Sequence, residues 1–137
     1  MKKIICSPTK YIQGKGELLY LRNYASSLGK KGVFAVVDPF VMDHYKEMIE
    51  SSFVNRSLPL YLRKFNGETS QKEIEEIRNE LKEKKCDIIV GIGGGKTLDT
   101  AKAVGFYAGI PVIIVPTIAS SDAPCSALAV IYTEKGE

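Results

Sequence analysis

The sequence predicts an α/β domain with a Rossmann-like, largely parallel sheet and helices on both faces. Three observations lead to this prediction. Apolar runs of strand length alternate with segments of helical periodicity along the 137 residues. Two of the runs, residues 33–37 and 87–92, are almost uniformly apolar, which is typical of strands covered on both faces. A run of glycines then joins the second of them directly to a helix.

The first third of the chain predicts strands and helices in alternation. Short strands are expected at residues 1–6 and 11–13, and a helical face of apolar residues follows them. That helix is expected to end at Gly29, because glycine readily adopts the left-handed conformation that closes a helix. Residues 33–37 form the next strand, and apolar residues then recur at helical spacing as far as residue 53.

The alternation continues through the rest of the chain. Residues 58–65 predict a third strand, and Asn66-Gly67 is a turn signal. Ser70 and Glu73 match a capping box, in which each side chain accepts from the other residue's backbone N–H. After the helix that they begin, the predicted elements are a strand at 87–92, a helix at 96–107, a strand at 112–115 and an apolar run at 127–132, with a hairpin to 133–136 as one option.

Length and composition exclude several classes of protein. The chain has room for one domain, and its net charge of +3 comes from 19 basic and 16 acidic residues that alternate without a long basic run, which argues against nucleic acid binding. Cys6, Cys86 and Cys125 are too widely spaced for a zinc pattern and odd in number, which indicates a reducing, cytoplasmic compartment. The long uncharged stretch, residues 103–121, is interrupted by glycines and prolines, so no membrane span is expected.

Residues 91–97, Gly-Ile-Gly-Gly-Gly-Lys-Thr, are the segment most informative about function. Without Cβ atoms, the turn lets an anion approach backbone N–H groups at a helix N-terminus, where the macrodipole and Lys96 both favour negative charge. The P-loop of ATP and GTP hydrolases would need four residues where Gly91 and Gly95 enclose three, and the dinucleotide fingerprint would need glycine in place of Lys96. The alternative is a tight turn that packs helix against sheet.

Asp38 is the second candidate, because it lies at the carboxyl end of a buried strand, the edge where open α/β sheets hold ligands. A carboxylate there can bind both ribose hydroxyls and repels a 2′-phosphate, which favours NAD over NADP. The alternative is a helix cap before Pro39. Asp38 precedes the glycine run by more than fifty residues, whereas in the usual dinucleotide fold the acid follows it, so a different topology is expected.

A polar loop, residues 116–126, follows the strand at 112–115 and concentrates hydroxyl groups around one carboxylate, Asp122. These residues could line a ligand site. They could equally form turns and a helix cap, since Ser, Thr and Asp are the residues that such turns favour.

Three segments together resemble the glycerol dehydrogenases of the iron-containing alcohol dehydrogenase superfamily. They are residues 11–14 (YIQG), 91–102 (GIGGGKTLDTAK) and 116–128 (PTIASSDAPCSAL). The Gly-Gly-Gly-x-x-x-Asp core also occurs in the related dehydroquinate synthases, whereas the third segment is much more specific. The resemblance implies that residues 1–137 are the N-terminal NAD-binding domain of this dehydroquinate synthase-like fold. It also implies a cytoplasmic homo-oligomer that oxidises glycerol to dihydroxyacetone.

The resemblance also implies roles for individual residues at matching positions. Asp38 would hold the adenosine ribose, and Asp122 would contact glycerol. The remaining cofactor residues would be Gly94, Gly95 and Lys96 at the pyrophosphate and Thr117, Ser120, Ser126, Leu128 and Tyr132 along the rest of the dinucleotide.

The family's zinc ligands, one Asp and two His, would lie in a C-terminal helical domain beyond Glu137. His44 is the only histidine of this chain and is expected to be a surface or packing residue. Neither a metal ligand nor a catalytic residue is therefore expected within residues 1–137. The chain alone is expected to bind NAD without oxidising glycerol.

Two alternative functions follow from the same residues. One is a related enzyme, a glycerol-1-phosphate dehydrogenase or a dehydroquinate synthase, although a phosphorylated substrate would require basic residues near Asp122 and residues 117–126 contain none. The other is a non-catalytic module that binds a nucleotide or a partner subunit.

Overall fold

The computed structural model of the chain describes residues 6–13, 25, 29–51, 53, 58–117 and 127–133, with side chains for all of these except 6–13 and 127–133. In these residues one sheet has the strand order β1-β6-β5-β4-β2-β3. Its strands are β1 (Cys6–Gln13), β2 (Val33–Val37), β3 (Leu60–Lys64), β4 (Ile88–Gly93), β5 (Val112–Pro116) and β6 (Ala127–Thr133). The helices are α1 (Pro39–Ser51), α2 (Gln71–Glu83) and α3 (Gly95–Ala108).

The sheet is largely parallel, as the sequence predicts. Strands β3, β2, β4 and β5 pair in parallel, and β6 pairs antiparallel with both β5 and β1. The carboxyl ends of β2, β4 and β5 therefore meet at one edge of the sheet, where open α/β sheets place their ligands.

Side chains of the central strands alternate between two apolar cores, which explains their uniform hydrophobicity. Val33, Ala35 and Val37 face α1 and Ala25, whereas Phe34 and Val36 face α2 and α3. Each of the five is at most 2% exposed. Helices therefore cover both faces of β2, as predicted from the sequence.

The helix boundaries follow from local chemistry. Helix α2 is capped by Ser70, whose Oγ accepts from the N–H of Glu73 at 3.1 Å. The other half of the expected capping box is absent, because the Glu73 carboxylate is buried and accepts instead from Arg63 and Asn66. Helix α3 ends at Gly109, which has the left-handed φ of 70° and satisfies the last carbonyl groups.

Several expectations lie partly outside the described residues. A strand does cover residues 11–13, but it begins at Cys6, and residues 1–5 are outside. The helix expected before Gly29 is described only at Ala25, which is helical and buried. Strand β6 covers the apolar run at 127–132, while the hairpin option at 133–136 lies outside the described residues beyond Thr133. Among the described helices, none is long and apolar enough to cross a membrane.

Candidate functional site

The pairing of β2 with β4 brings Asp38 beside the glycine turn. Val37 is in register with Ile92, and the N–H of Asp38 donates to the carbonyl of Ile92 at 2.8 Å. The approach to the next residue is close, because a Cβ added at Gly93 would lie 2.6 Å from the Cβ of Asp38. Two residues far apart in the sequence are thus neighbours at the carboxyl edge of the sheet.

The glycines of the turn divide into two groups. A Cβ at Gly91 would lie 2.7 Å from the Cβ of Ala101, and Gly93 has a φ of 149°. These two glycines allow strand and helix to pack, which is the alternative that sequence reasoning left open. At Gly94 and Gly95, by contrast, an added Cβ would meet nothing within 4 Å. Packing does not require glycine at these two positions, so they leave an open approach to the backbone.

The open glycines lie at the start of helix α3. Gly94 is its N-cap residue and provides no side-chain cap, and the first turn carries no acidic residue. The first N–H groups of a helix lack intrahelical acceptors and lie at the positive end of its dipole. Lys96 adds an exposed ammonium group in the same turn. No described side chain accepts from the first N–H groups of α3, so this helix start is suited to an anion from a ligand.

Asp38 caps helix α1, which is the alternative role that the sequence left open. Its Oδ2 accepts from the N–H of Phe40 at 2.9 Å, so the carboxylate caps helix α1. Only one oxygen is used in this way, and within the described part of the chain no donor contacts Oδ1. Capping and ligand binding are therefore compatible at this partly exposed residue.

The loop after β5 also meets the glycine turn, because the N–H of Thr117 donates to the carbonyl of Gly93 at 3.0 Å. Leu128 lies near the start of β6, beside the carboxyl end of β5, since Ala129 is paired with Ile114. The same antiparallel register places Tyr132 past the amino end of β5, at the other end of the pairing. The remaining predicted residues, Ser120, Asp122 and Ser126, lie outside the described residues.

Sequence reasoning missed one neighbour of the glycine turn, the segment after β3. Glu68 forms an ion pair with Lys96 at 3.3 Å. Thr69 Oγ1 donates to the carbonyl of Lys96 at 3.1 Å and lies 2.9 Å from the hydroxyl of Thr100. The available signal was the Asn66-Gly67 turn, which follows a parallel strand at its carboxyl end.

Other reactive side chains lie away from this edge or lack a suitable setting. Burial, with a smaller contribution from Asp87, raises the pKa of the Cys86 thiol to about 11, so the thiol stays protonated near neutral pH. His44 is exposed, stacks on Phe40 and bonds the Phe40 carbonyl through Nδ1 at 2.9 Å. In the ranges that carry described side chains, no three His, Cys, Asp or Glu residues are grouped to hold a metal ion.

A groove of about 810 Å³ lies at the opposite, amino edge of the sheet, among basic side chains that include Lys82 and Lys85. Its arginine, Arg78, is already paired with Glu75 at 3.2 Å and lies over the ring of Tyr107. None of the predicted site residues lines this groove. The carboxyl edge, where Asp38 meets the glycine turn, remains the candidate functional site.

Comparison with known proteins agrees with the fold and the sequence pattern. A family model described as iron-containing alcohol dehydrogenase matches residues 8–137. Glycerol dehydrogenase of Escherichia coli O6:H1 is 48% identical over 137 residues, which is 100% of this chain and 37% of that protein. Glycerol dehydrogenase of Citrobacter freundii is 47% identical with the same coverage of both chains.

A solved structure gives the same result in three dimensions. The probable glycerol dehydrogenase from Sinorhizobium meliloti 1021 superposes with a TM-score of 0.72 at 40% identity, over 92% of this chain and 33% of that one. The chain therefore spans about a third of the length of the relatives that it matches.

Proposed function

The chain belongs to the iron-containing alcohol dehydrogenase family, and we propose that it supplies the cofactor site and part of the substrate site of an NAD-dependent glycerol dehydrogenase. The reaction is the oxidation of glycerol to dihydroxyacetone by hydride transfer. The similarity to glycerol dehydrogenases at 47% and 48% identity supports this substrate, whereas the geometry supports the cofactor.

The observation that carries the proposal is the position of Asp38 beside an open glycine turn. The carboxylate and the start of α3 are adjacent at the carboxyl ends of two neighbouring parallel strands. The backbone at Gly94 and Gly95 suits a diphosphate. An added Cβ at either position would meet no atom within 4 Å, so packing does not require glycine there, but the Cβ would obstruct a ligand that approaches the backbone N–H groups. An acid and an anion cradle side by side suit a ribose linked to a diphosphate.

Each residue then has a defined role in binding. Asp38 accepts hydrogen bonds from the ribose hydroxyls through the oxygen that does not cap α1. The backbone at Gly94 and Gly95 and the ammonium group of Lys96 hold the diphosphate. Bound NAD supplies the hydride acceptor. The other residues proposed to line the dinucleotide are Thr117, Ser120, Ser126 and Leu128. Tyr132 is proposed with them by resemblance, although the register of β6 places it at the other end of β5.

Substrate binding is assigned to Asp122, whose carboxylate would hold a hydroxyl group of glycerol. The family resemblance also leads us to expect zinc, bound by residues of a separate helical domain, with residues 1–137 forming the NAD-binding domain. The described side chains do not offer a donor set for such an ion. We assign to this chain the binding and orientation of the dinucleotide and of the substrate.

The cofactor assignment is tested with Asp38→Asn, which keeps an oxygen to cap α1 but removes the charge. We expect NADH to bind wild-type protein more tightly than NADPH, and the substitution to weaken NADH binding about tenfold. The ratio of the Kd for NADPH to the Kd for NADH should fall as well, because the variant no longer repels the 2′-phosphate of NADPH. Fluorescence titration with the two dinucleotides measures both effects.

Asp43→Asn is the matched control. Asp43 is an exposed acid on the same helix, paired with Lys64 at 3.0 Å, so it carries the same change of charge without the position beside Gly93. NADH affinity should be unchanged in this variant. Folded wild-type protein that binds no NADH would refute the cofactor assignment.

The substrate is tested separately by assaying the purified protein for NAD reduction. Glycerol and glycerol 1-phosphate are supplied in turn, with and without added zinc. For residues 1–137 alone we expect NADH binding and no turnover with either substrate. In a longer polypeptide that includes the zinc-binding domain, we expect turnover of glycerol and not of glycerol 1-phosphate, and the reverse preference would contradict the assignment to glycerol.

A further inference from the structure

Glu68 pairs with Lys96, the side-chain cation that the described residues place at the candidate diphosphate site. Its carboxylate lies 3.3 and 3.4 Å from Nζ of Lys96, in the first turn of α3. The two side chains are 76% and 65% exposed, so the ion pair is accessible to a ligand from solvent. Exposed pairs of this kind contribute little to folding, and a stronger anion can replace the carboxylate.

Local hydrogen bonds position Glu68 at this point. Its N–H donates to Oδ1 of Asn66 at 3.0 Å, and the turn between them uses the positive φ of Gly67. The amide of Asn66 in turn donates to Oε1 of Glu73 at 3.1 Å. Glu73 is 1% exposed, and its carboxylate is also bonded to Arg63 at 2.8 Å.

The other end of the segment is attached to α3 itself. Thr69 donates to the carbonyl of Lys96 and contacts the hydroxyl of Thr100, which is buried and also donates to that carbonyl at 2.8 Å. The segment 66–69 is thus fixed to α2 on one side and to α3 on the other. The backbone that carries Glu68 is held next to the residue that the diphosphate requires.

We propose that Glu68 is a tethered competitor of the cofactor diphosphate, which occupies Lys96 in the empty site and thereby lowers the affinity for NAD. The inference rests on the proposed cofactor site. The ammonium group of Lys96 is a single compact charge. When the dinucleotide binds, Lys96 therefore leaves the Glu68 carboxylate and pairs with the diphosphate. Glu68 therefore weakens the binding of NAD and favours its release after each turnover.

The test is NADH titration of Glu68→Gln at low ionic strength. We expect the Kd to fall about three- to fivefold, the range that an exposed ion pair accounts for. The gain should diminish in 1 M salt, where exposed charges are screened. Unfolding midpoints should match those of wild type. An unchanged or raised Kd in the folded variant would overturn the proposal.

Two further variants identify the cause of the gain. Glu75→Gln removes an exposed acid from α2 that pairs with Arg78, and it should leave the Kd unchanged. In a Lys96→Met background, adding Glu68→Gln should bring a smaller gain than in wild type, because the competed cation is gone. An equal gain in both backgrounds would overturn the proposal. A wild-type protein that binds no NADH would instead refute the cofactor site itself.

Discussion

The two edges of the sheet use backbone N–H groups in opposite ways. At the amino edge, the N–H groups of Lys30, Lys31 and Gly32 donate to the carboxylate of Asp87 at 2.9 to 3.2 Å. At the carboxyl edge, the N-cap residue of helix α3 is Gly94, which provides no side-chain cap. The first group of donors is satisfied by an acid of the chain itself, whereas no described side chain accepts from the second group, which is open to water or a ligand.

The amino edge is therefore a structural site for an anion of the chain, whereas the carboxyl edge has the features of a ligand-binding site. The Asp87 carboxylate links the segment before β2 to the segment before β4, and so it stabilises the order of the central strands. The N–H groups at the start of α3 make no comparable contact with a described side chain, and packing does not require glycine at positions 94 and 95. A cluster of backbone N–H groups that no described side chain satisfies, placed next to an acid, indicates a ligand more specifically than a glycine run alone.

The largest expected effect comes from making the carboxyl edge resemble the amino edge. In Gly94→Asp the new carboxylate would cap α3 by accepting from the N–H groups of the first turn. Folding stability should stay the same or rise by a few tenths of a kcal/mol, since glycine is already a tolerated N-cap. NADH affinity should fall about a hundredfold, because like charges brought together cost several kcal/mol.

Denaturant unfolding and NADH titration of the same preparation measure the two effects of Gly94→Asp. Gly94→Ser is the matched control, because it adds a cap without a charge and should reduce affinity far less. If Gly94→Asp kept the wild-type Kd, the diphosphate would not bind at the start of α3.

Much of this comparison could be predicted from the sequence, because it depends on local patterns. The uniformly apolar strands, the glycine turn and the N-cap at Ser70 all rest on residues close together in the chain. Asp38 was also found in this way, since an acid that follows a buried strand lies at the ligand-binding edge by geometry alone.

The contacts that make one edge structural and the other a candidate binding site could not be predicted, because they join residues far apart in sequence. Asp87 meets the backbone of Gly32 across 55 positions, and Glu68 meets Lys96 across 28. The capping box predicted that the Glu73 carboxylate accepts from the N–H of Ser70, but it pairs with Arg63 instead. A charged guanidinium group forms stronger hydrogen bonds to a buried carboxylate than a single backbone N–H does.

The next largest effect is expected from removing the structural anion. Asp87→Ala leaves three backbone N–H groups without their acceptor and should lower the free energy of unfolding by about 1 to 2 kcal/mol. NADH affinity should be unchanged, because the substitution lies at the opposite edge of the sheet. Urea unfolding and dinucleotide titration check the two expectations.

Asp43→Ala serves as the reference for Asp87→Ala, since it removes an exposed acid whose only described partner is Lys64. Its effect on unfolding should stay within about 0.5 kcal/mol. Equal losses in the two variants would mean that the Asp87 carboxylate stabilises the fold no more than an ordinary surface pair.

The smallest effect is the pH dependence of the same contact. Burial alone would raise the pKa of the Asp87 carboxyl, but hydrogen bonds from the N–H groups of Lys30, Gly32 and Lys31 outweigh it and hold this pKa below its ordinary value. A pKa that is lower in the folded than in the unfolded state adds stability above the unfolded value of about 3.9. That contribution is lost as the pH falls through the folded value.

The difference in unfolding free energy between wild type and Asp87→Asn isolates this contribution from all other acids. It should be constant from about pH 7 to 5 and shrink below about pH 4. Urea unfolding of both proteins at half-unit pH steps gives the difference directly. A difference that stayed constant to pH 3, or grew as the pH fell, would show that the backbone N–H groups do not favour the charged carboxylate. In that case the N–H groups at the amino edge would not stabilise the charge of Asp87, and the two edges of the sheet would not differ in the way proposed.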